Sequence, residues 1–361
     1  MGKNESSRMV TNSNLARHQQ SCAQITRRHF LAAGAACSLA CLPGARILRA
    51  GAGKPLTIVF GWVPNAEYAD IFVGMDKGYF AKAGVDLKYV GGGPNAPVSL
   101  VTMAAGQAQI ATSSWLQLLD AAAHGNDFVV IAAMIPVTPE GLMSLPKKPV
   151  LKPADLPGTR FLVQGPMERD VLDAVFKINH LPLERRYVPA GFSPEALLAG
   201  AGDAYFCFVT NQPIVFEDMK LVAGKDFFVA RMEQFGYRVP SQLLVVDRKN
   251  LNADRATYLA FLRAMLQGNI DNKKDPAYGA QLVVSKYGRD LGFTQHQQTR
   301  LNELQIALER SPGTRGPYWI SDEQIVSMFE MARATGRANL PEPAKIIDQS
   351  LLAEAYKGLS F

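Results

Sequence analysis

Aromatic and polar side chains are concentrated in a loop that follows the first strand-like run of the sequence. The run covers residues 56–60, and directly after it come Trp62, Asn65, Glu67 and Tyr68. Indole and phenol rings offer flat apolar faces, whereas amide, carboxyl and hydroxyl groups can hold the polar edges of a bound molecule. Small-molecule sites combine an apolar lining with a few placed polar groups, so this loop predicts a ligand-binding site.

Three further loops after predicted strands, and one segment between strands, carry side chains of the same kinds. Loops that open a helix present free backbone N–H groups, which suit the polar part of a ligand. The candidates in these segments are Ser113, Ser114, Trp115, Gln164, Gly165, Asn211 and Tyr237. Together with the side chains of the first loop, they form the predicted ligand-binding site.

Each candidate also has a purely structural interpretation. Trp62 and Trp115 could be core residues, and a serine or asparagine before a helix could serve only as its N-cap. Gly165 could serve turn geometry, and Glu67 could be a solvated carboxylate. The prediction therefore depends on the joint placement of these side chains after strands, and not on any one of them.

Signals of catalysis are sparse in residues 53–361. Three histidines, His124, His180 and His296, are far apart in the sequence and lack a cysteine or carboxylate at metal-ligand spacing. No nucleophile, phosphate-binding or dinucleotide-binding motif occurs in a suitable context. Cys207 lies in an apolar run, which favours a buried thiol over a nucleophile. We therefore predict a binding protein without catalytic residues, metal or cofactor.

Strand-like and helix-like segments alternate along the chain, which predicts an α/β fold with largely parallel sheets. A first series spans residues 56–134 and a second spans 160–209, and six prolines at positions 136–157 predict a crossover between them. Two such series indicate two lobes with a ligand cleft between them, at the carboxyl ends of the strands. Lobe I is predicted to comprise residues 53–139 and 242–361, and lobe II residues 140–241.

The N-terminal segment, residues 1–52, has the pattern of an export signal. Arg27 and Arg28 precede a short apolar run at residues 30–42, and small residues follow it. That run is too short to span a bilayer. Two adjacent arginines before such a run indicate the twin-arginine (Tat) pathway. We therefore predict that the segment is removed and that the mature protein works in the periplasm.

Removal of this segment also changes the charge of the protein. The segment holds seven of the 38 basic residues and one of the 32 acidic residues, so 31 of each remain. The net charge of +6 thus belongs to the segment, and a near-neutral mature chain argues against a nucleic-acid partner. Three of the four cysteines also lie in the segment. Among them, Cys41 lacks the apolar residue expected three positions before a lipid-attachment site.

Four short motifs resemble those of a known protein family, and they occur in the family's order. They are GYFAKAGVD at residues 78–86, AGQAQIA at 105–111, DLPG at 155–158 and GDA at 202–204. Together they resemble periplasmic substrate-binding proteins of ABC importers, in the group that handles nitrate, sulfonate, taurine and thiamine-pyrimidine precursors. Gln109 stands where the family has Asp, and Thr159-Arg160 replaces its Lys-rich sequence. Neither departure is expected to alter the fold.

The resemblance implies a type II periplasmic binding protein fold, in which two α/β lobes close on a ligand at a hinge of two crossovers. It also implies a monomeric receptor that delivers a small organic ligand to an ABC permease and its ATPase. The sequence WVPN at residues 62–65 is most similar to the branch that binds thiamine-precursor pyrimidines. This similarity favours a pyrimidine-like heterocycle as the ligand.

Three alternatives remain open. A sulfonate, taurine or nitrate oxyanion would suit serines at a helix N-terminus. An enzyme related to thiamine-pyrimidine synthases would need the cysteine cluster of those enzymes, to which the sequence offers no equivalent. A periplasmic sensor domain would use the same two lobes, so the sequence does not separate it from a transport receptor.

Overall fold

The computed structural model describes residues 53–93 and 96–361, and the predicted export signal lies outside them. Two five-stranded sheets organise this part of the chain. From one edge to the other, the first sheet contains β2 (Val85–Val90), β1 (Lys54–Val59), β3 (Ile110–Ser113), β10 (Ser241–Asp247) and β4 (Phe128–Ile135). The second sheet contains β7 (Arg185–Pro189), β6 (Thr159–Val163), β8 (Ala204–Phe208), β5 (Glu140–Ser144) and β9 (Phe228–Arg231).

Helices connect the strands and form most of the C-terminal part of the chain. The helices before β10 are α1 (Ala69–Asp76), α2 (Tyr79–Lys82), α3 (Ser99–Ala104), α4 (Trp115–Ala123), α5 (Pro166–Ile178), α6 (Glu195–Leu198) and α7 (Gln212–Asp218). After it come α8 (Arg248–Ala253), α9 (Arg255–Lys274), α10 (Pro276–Leu282), α11 (Gln295–Ile306), α12 (Asp322–Ala334), α13 (Pro343–Ile346) and α14 (Ser350–Ala355). Along the described part of the chain, no helix combines the length and the apolar character needed to cross a membrane.

Both sheets are mixed, which corrects the predicted, largely parallel arrangement. Strand β1 is parallel to β2 and β3, whereas β10 is antiparallel to both of its neighbours. In the second sheet, β6 is parallel to β7 and β8, whereas β5 is antiparallel to β8 and β9. Helical crossovers keep successive strands parallel. The strands β5 and β10 instead enter their sheets directly from the other sheet, so they run against their neighbours.

The proline-rich segment at residues 136–157 contains a strand that the sequence patterns did not indicate. Strand β5 lies inside it and is hydrogen-bonded on both sides, to β8 and to β9. A proline within a strand would remove a donor of the ladder, but Pro136 and Pro139 precede β5 and Pro146 follows it. The prolines therefore flank a central strand and do not interrupt it. Strand β9 was also not predicted.

The chain passes from the first sheet to the second at residues 136–139 and returns at residues 232–240. Helix α12 is bonded to both of these crossovers. Its Gln324 side chain donates to the backbone oxygen of Pro136, and the hydroxyl of Ser327 accepts the N–H of Arg238 at 3.3 Å. The helix also packs against α5, which follows a strand of the second sheet. One helix thus fixes the two connections about which the lobes would move.

Candidate functional site

The loop after β1 is held in one conformation by side-chain hydrogen bonds. Asn65 begins a short 3-10 helix, and its Oδ1 accepts the N–H of Glu67 at 3.0 Å. From α11, Gln298 accepts the intervening backbone N–H at 2.8 Å, and Gln305 donates to the backbone oxygen of Glu67 at 2.7 Å. Asn65 is 2% exposed and Glu67 is 3% exposed. The loop is therefore a rigid, buried segment.

Gln242 connects two functional groups of this loop. Its Oε1 accepts the hydroxyl of Tyr68 at 3.2 Å, and its Nε2 donates to Oε2 of Glu67 at 3.1 Å. Gln242 lies at the start of β10, where the chain returns to the first sheet, and its φ of +50° is in the left-handed region. Such a conformation is unfavourable for a residue with a Cβ and is often found at functional sites. The sequence patterns did not select Gln242.

Tyr68 and Trp115, which the sequence predicts as stacking surfaces for a ligand, are buried and packed against other aromatic rings. The Tyr68 ring stacks on Phe60, with centroids 3.8 Å apart and planes 8° apart. Trp115 is 1% exposed, donates its indole N–H to the backbone oxygen of Met328 at 2.6 Å, and contacts Phe329 edge to face. Phe60, directly after β1, covers the ring of Tyr68, and Phe329 of α12 covers the ring of Trp115. Of these two residues, only Tyr68 has a polar group, its hydroxyl, that bonds the side chain of Gln242.

The two serines before α4 are used by the first turn of that helix. Ser114 is its N-cap and accepts the N–H of Gln117 at 3.4 Å. The hydroxyl of Ser113 donates to Oε1 of Gln117 at 3.2 Å, and Ser113 is buried. Both hydroxyls therefore have the structural roles that capping chemistry provides.

Glu140 is the first residue of β5, directly after the first crossover. It is 6% exposed, and the hydroxyl of Thr138 donates to its carboxyl group. Burial, helped by the charges of Glu168 and Glu67 and opposed by the hydrogen bond from Thr138, raises the pKa of Glu140 to about 7. Burial also raises the pKa of Glu67 to about 7. Burial raises the pKa of the Tyr237 hydroxyl, and the charge of Glu140 raises it as well. Glu140 thus lies directly after one crossover, and Tyr237 lies within the other.

Three other predicted residues lie at the ends of strands in the second sheet. Gln164 follows β6 and donates to the backbone oxygen of Phe206 at 3.0 Å. Gly165 is the N-cap of α5, where an added Cβ would lie 3.3 Å from Oε2 of Glu168. Asn211 stands at the N-cap position of α7, and its side chain makes no capping hydrogen bond. The side chain of Gln164 is therefore engaged by the backbone, whereas that of Asn211 is not used to cap its helix.

Side-chain contacts join the two lobes near these loops. The rings of Trp62 and Phe192 meet edge to face, with centroids 5.2 Å apart. Two side-chain contacts join α11 to α7: Arg300 pairs with Glu217 at 3.5 Å, and Nε2 of His296 lies 3.1 Å from Oδ1 of Asp218. Two open surface depressions lie elsewhere, beside α10 and beside α12. We name as the interlobe site Trp62, Asn65, Glu67, Glu140, Glu168, Phe192, Tyr237 and Gln242.

The titratable groups that most often carry catalysis are separated from the interlobe site or engaged in structure. The ring of His124 bonds the backbone oxygen of Asp120 at 2.7 Å, and Cys207 is buried, which raises the pKa of its thiol. Within residues 53–93 and 96–361, no group of three or more His, Cys, Asp and Glu side chains could hold a metal ion. The arrangement can bind and orient a small molecule through carboxyl, amide, hydroxyl and aromatic groups.

Comparison with known proteins relates the chain to one protein family and to two relatives, which align over similar lengths. The family model described as NMT1/THI5 like matches residues 65–278. A protein of Haemophilus influenzae named for thiamine biosynthesis is 28% identical over 260 residues, which cover 70% of this chain and 78% of the relative. A formylaminopyrimidine-binding protein of Halalkalibacterium halodurans is 22% identical over 288 residues, which cover 77% and 85%.

Solved structures share the fold. The periplasmic aliphatic sulphonate-binding protein of Escherichia coli superposes with a TM-score of 0.57 at 14% identity, covering 77% of this chain and 85% of that one. At such identity the likeness shows the fold alone. It confirms the periplasmic binding protein fold that the sequence motifs implied, with its two α/β lobes.

Proposed function

Because the chain belongs to the NMT1/THI5-like family, we propose that it is an extracytoplasmic solute receptor that delivers a pyrimidine-like ligand to an ABC importer. The observation that carries this proposal is the bonding of Glu67 and Tyr68 to Gln242. These bonds join the first loop to the start of β10, directly after the return crossover, so they hold the polar groups of lobe I in place where a closing second lobe would meet a ligand. Receptors of this architecture bind at the junction of their lobes.

A planar ligand is supported by the aromatic rings and by the relatives. Trp62 and Phe192 meet at the mouth of the interlobe site, one from each lobe. Separation of the lobes would free a face of the indole for stacking, while Asn65 and Glu67 would meet polar edges of a heterocycle. The relative from Halalkalibacterium halodurans is named for binding formylaminopyrimidine. Formylaminopyrimidine is therefore the first compound to test.

An oxyanion is the second candidate, because the Escherichia coli structure is that of a sulphonate-binding protein. The sequence-based support for an oxyanion was the pair Ser113 and Ser114 before α4. Both hydroxyls are hydrogen-bonded to Gln117. An oxyanion would therefore have to displace these bonds or rely on backbone N–H groups alone, which makes the heterocycle the better proposal.

The remaining parts of the proposal concern the receptor's surroundings. The export signal at residues 1–52 would direct the chain to the periplasm through the Tat pathway. There the receptor would act as a monomer, without an enzymatic activity or a cofactor, and would dock on an ABC permease whose ATPase drives uptake. Residues 53–139 and 242–361 would move as lobe I, and residues 140–241 as lobe II.

Thermal unfolding of the purified chain tests the proposal directly. A ligand that binds only the folded state raises the melting temperature in proportion to the logarithm of its concentration over its Kd. We expect formylaminopyrimidine to raise it, and nitrate and an aliphatic sulfonate at the same concentration to leave it unchanged. A shift with the sulfonate alone would select the second candidate, and no shift with any compound would refute the receptor proposal.

A further inference from the structure

Two acidic side chains that do not belong to the interlobe site lie next to each other in the protein interior. Asp70 lies in the first turn of α1 and is 2% exposed, and Glu309 follows α11 and is 1% exposed. Asn269 of α9 contacts both of them. Its Nδ2 donates to Oδ2 of Asp70 at 3.1 Å and to Oε2 of Glu309 at 2.6 Å. A single nitrogen atom within hydrogen-bond distance of both carboxyl groups fixes them side by side.

The donors around this pair are neutral and are directed mainly at Asp70. Besides Asn269, Nδ2 of Asn272 donates to Oδ1 of Asp70 at 2.9 Å, and the hydroxyl of Tyr318 donates to Oδ2. Burial raises the pKa of the Tyr318 hydroxyl well above its usual range, so this group remains a donor. Among the side chains of the described residues, Glu309 accepts only the bond from Asn269. Asp70 therefore has the bonds of a carboxylate, and Glu309 has room for a proton.

Positive charge near the pair is not placed to neutralise it. Within residues 53–93 and 96–361, neither Asp70 nor Glu309 belongs to an ion pair. Arg310, the neighbour of Glu309, donates to the backbone oxygen of Thr314 at 3.1 Å. Burial and the charge of Asp70 raise the pKa of Glu309 well above its ordinary value against the opposing charge of Lys273, and a hydrogen bond between the two carboxyl groups raises it further. Two ionised carboxylates at this separation would be costly in the interior.

Both members of the pair are connected to the loop after β1. Asp70 comes directly after this loop, where the chain continues into α1. Glu309 follows α11, from which Gln305 donates to the backbone oxygen of Glu67 at 2.7 Å. The backbone oxygen of Glu309 also accepts the N–H of Tyr318 at 2.7 Å, which holds the chain after α11 in place. A change in the separation of the two carboxyl groups would therefore move the start of α1 relative to α11, and the loop with it.

We infer that Asp70 and Glu309 share one proton, and that this proton positions the loop after β1 by holding the start of α1 against the end of α11. Glu309 donates the proton to the Asp70 carboxylate, whose other bonds come from neutral donors. Removal of the proton would leave two like charges facing each other in the interior, and their repulsion would loosen the loop. Both are thus positioning residues, and their effect on a ligand rests on the proposed function.

Urea unfolding of the purified full chain at pH 5 and pH 9 tests the shared proton. Above the ordinary pKa of 4.5, the folded chain retains a proton at Glu309 that the unfolded chain has released, so stability falls as the pH rises. Glu309→Gln keeps a donor toward Asp70 at every pH. The variant should therefore unfold like the wild type at pH 5, and at pH 9 its unfolding constant should be at least about tenfold smaller. Glu184→Gln, at an exposed position, is the matched control and should follow the wild type. A constant ratio between wild type and Glu309→Gln at both pH values would overturn the inference.

Infrared spectroscopy decides the question even if Glu309→Gln does not fold. At pH 8, Glu67 and Glu140, whose pKa values are about 7, are largely ionised, so a remaining carboxylic-acid band comes from another group. We expect this band in the wild type at pH 8, its loss in Glu309→Gln and its retention in Glu140→Gln. Absence of the band from the wild type, or its persistence in Glu309→Gln, would overturn the shared proton.

Calorimetric titration with formylaminopyrimidine tests the positioning role. Wild type and Glu309→Gln should bind with affinities within about twofold of each other at pH 6, whereas at pH 9 the variant should bind at least about threefold more tightly, because its loop stays held. The same ratio at both pH values would overturn the positioning role. No binding to the wild type would overturn the proposed function and the ligand part of the inference, whereas the shared proton is decided by the unfolding and infrared results.

Discussion

The indole ring of Trp62 meets the phenyl ring of Phe192 edge to face, with the ring centroids 5.2 Å apart. Trp62 follows β1 in the first sheet, whereas Phe192 precedes α6 and is 50% exposed. The contact therefore joins the two lobes at the edge of the interlobe site. Aromatic pairs of this kind contribute about 0.5–1.5 kcal/mol beyond their buried area. That is enough to favour closure and too little to prevent opening.

Replacement of Trp62 separates the two candidate ligands. Trp62→Ala removes the stacking face, so we expect at least a tenfold loss of affinity for formylaminopyrimidine and a loss below threefold for a small sulfonate. Trp62→Phe keeps an aromatic face and should restore most of the affinity. Trp319→Ala is the control, because Trp319 packs on Tyr356 near the C-terminus. Calorimetry measures these changes, and equal losses for both ligands would contradict stacking.

The left-handed backbone of Gln242 predicts an unusual order of stabilities. At an ordinary helical position such as the exposed Gln281, Gly is about 1 kcal/mol less stable than Ala. At Gln242, where φ is +50°, Ala keeps the strain and Gly relieves it, so Gln242→Gly should be the more stable of the two by about 1 kcal/mol. Both should be less stable than wild type by about 1–3 kcal/mol, since Glu67 and Tyr68 lose a partner. Urea unfolding measures these differences in stability. If Ala were more stable than Gly at Gln242, as it is at Gln281, the backbone of Gln242 would not be strained.

The first loop was predictable because the chemistry of the loop is local. Trp62, Asn65 and Glu67 come directly after a strand with a clear β pattern, and parallel strands end at the edge of a sheet where ligands bind. Gln242 was not predictable, because it lies 175 residues after Glu67 and nothing in its local sequence marks its backbone conformation. Long-range pairs of this kind are decided by the order of strands, which a single sequence does not show.

Glu140 and Trp115 show two further limits of sequence patterns. Glu140 lies among prolines that indicate a connection, so the strand that starts at Glu140 and its buried carboxyl group were overlooked. Trp115 is a residue type that often contacts ligands, but its indole N–H donates to the backbone oxygen of Met328, 213 residues away. Whether a tryptophan faces a cleft or the core depends on which helix packs against it. Here that helix is α12.

The raised pKa of Glu140 predicts how stability depends on pH. Between its ordinary value of 4.5 and about 7, the folded protein retains a proton that the unfolded chain has released. Stability therefore falls as the pH rises through this window and levels off above it. Glu140→Gln removes this effect. From pH 5 to pH 8, the free energy of unfolding of the variant should therefore fall by roughly 2–3 kcal/mol less than that of the wild type.

Comparison of the two proteins cancels the contributions of titrating groups that do not interact with Glu140. Asp203, whose pKa is lowered by its bonds to Arg160 and Lys148 despite burial, acts in both proteins alike. The measurement is urea unfolding of wild type, Glu140→Gln and the exposed control Glu184→Gln at pH 5 and pH 8. Glu184→Gln should follow the wild type. A constant difference between wild type and Glu140→Gln at both pH values would show that Glu140 titrates normally.

The ion pair between Arg300 and Glu217 predicts a salt-sensitive contribution to closure. Both side chains are more than one-third exposed, and such pairs contribute about 0.2–1 kcal/mol. Arg300→Glu should therefore weaken ligand binding by at most about fivefold at low ionic strength, and the loss should shrink at 0.5 M salt. The exchange Arg300→Glu with Glu217→Arg should restore affinity. Failure of the double variant to recover would indicate that the pair does not couple the lobes.

The predicted export signal can be tested by substitutions that preserve charge. A twin-arginine signal is read by a receptor that requires the two arginines, and not merely positive charge. Arg27→Lys with Arg28→Lys should therefore leave the precursor in the cytoplasm, whereas Arg46→Lys with Arg49→Lys, later in the same segment, should be exported as the wild type is. Cell fractionation with an antibody to the mature part distinguishes the longer precursor from the processed form. Equal processing of both variants would assign the segment to another pathway. It would leave the receptor proposal intact, because binding depends on residues 53–361.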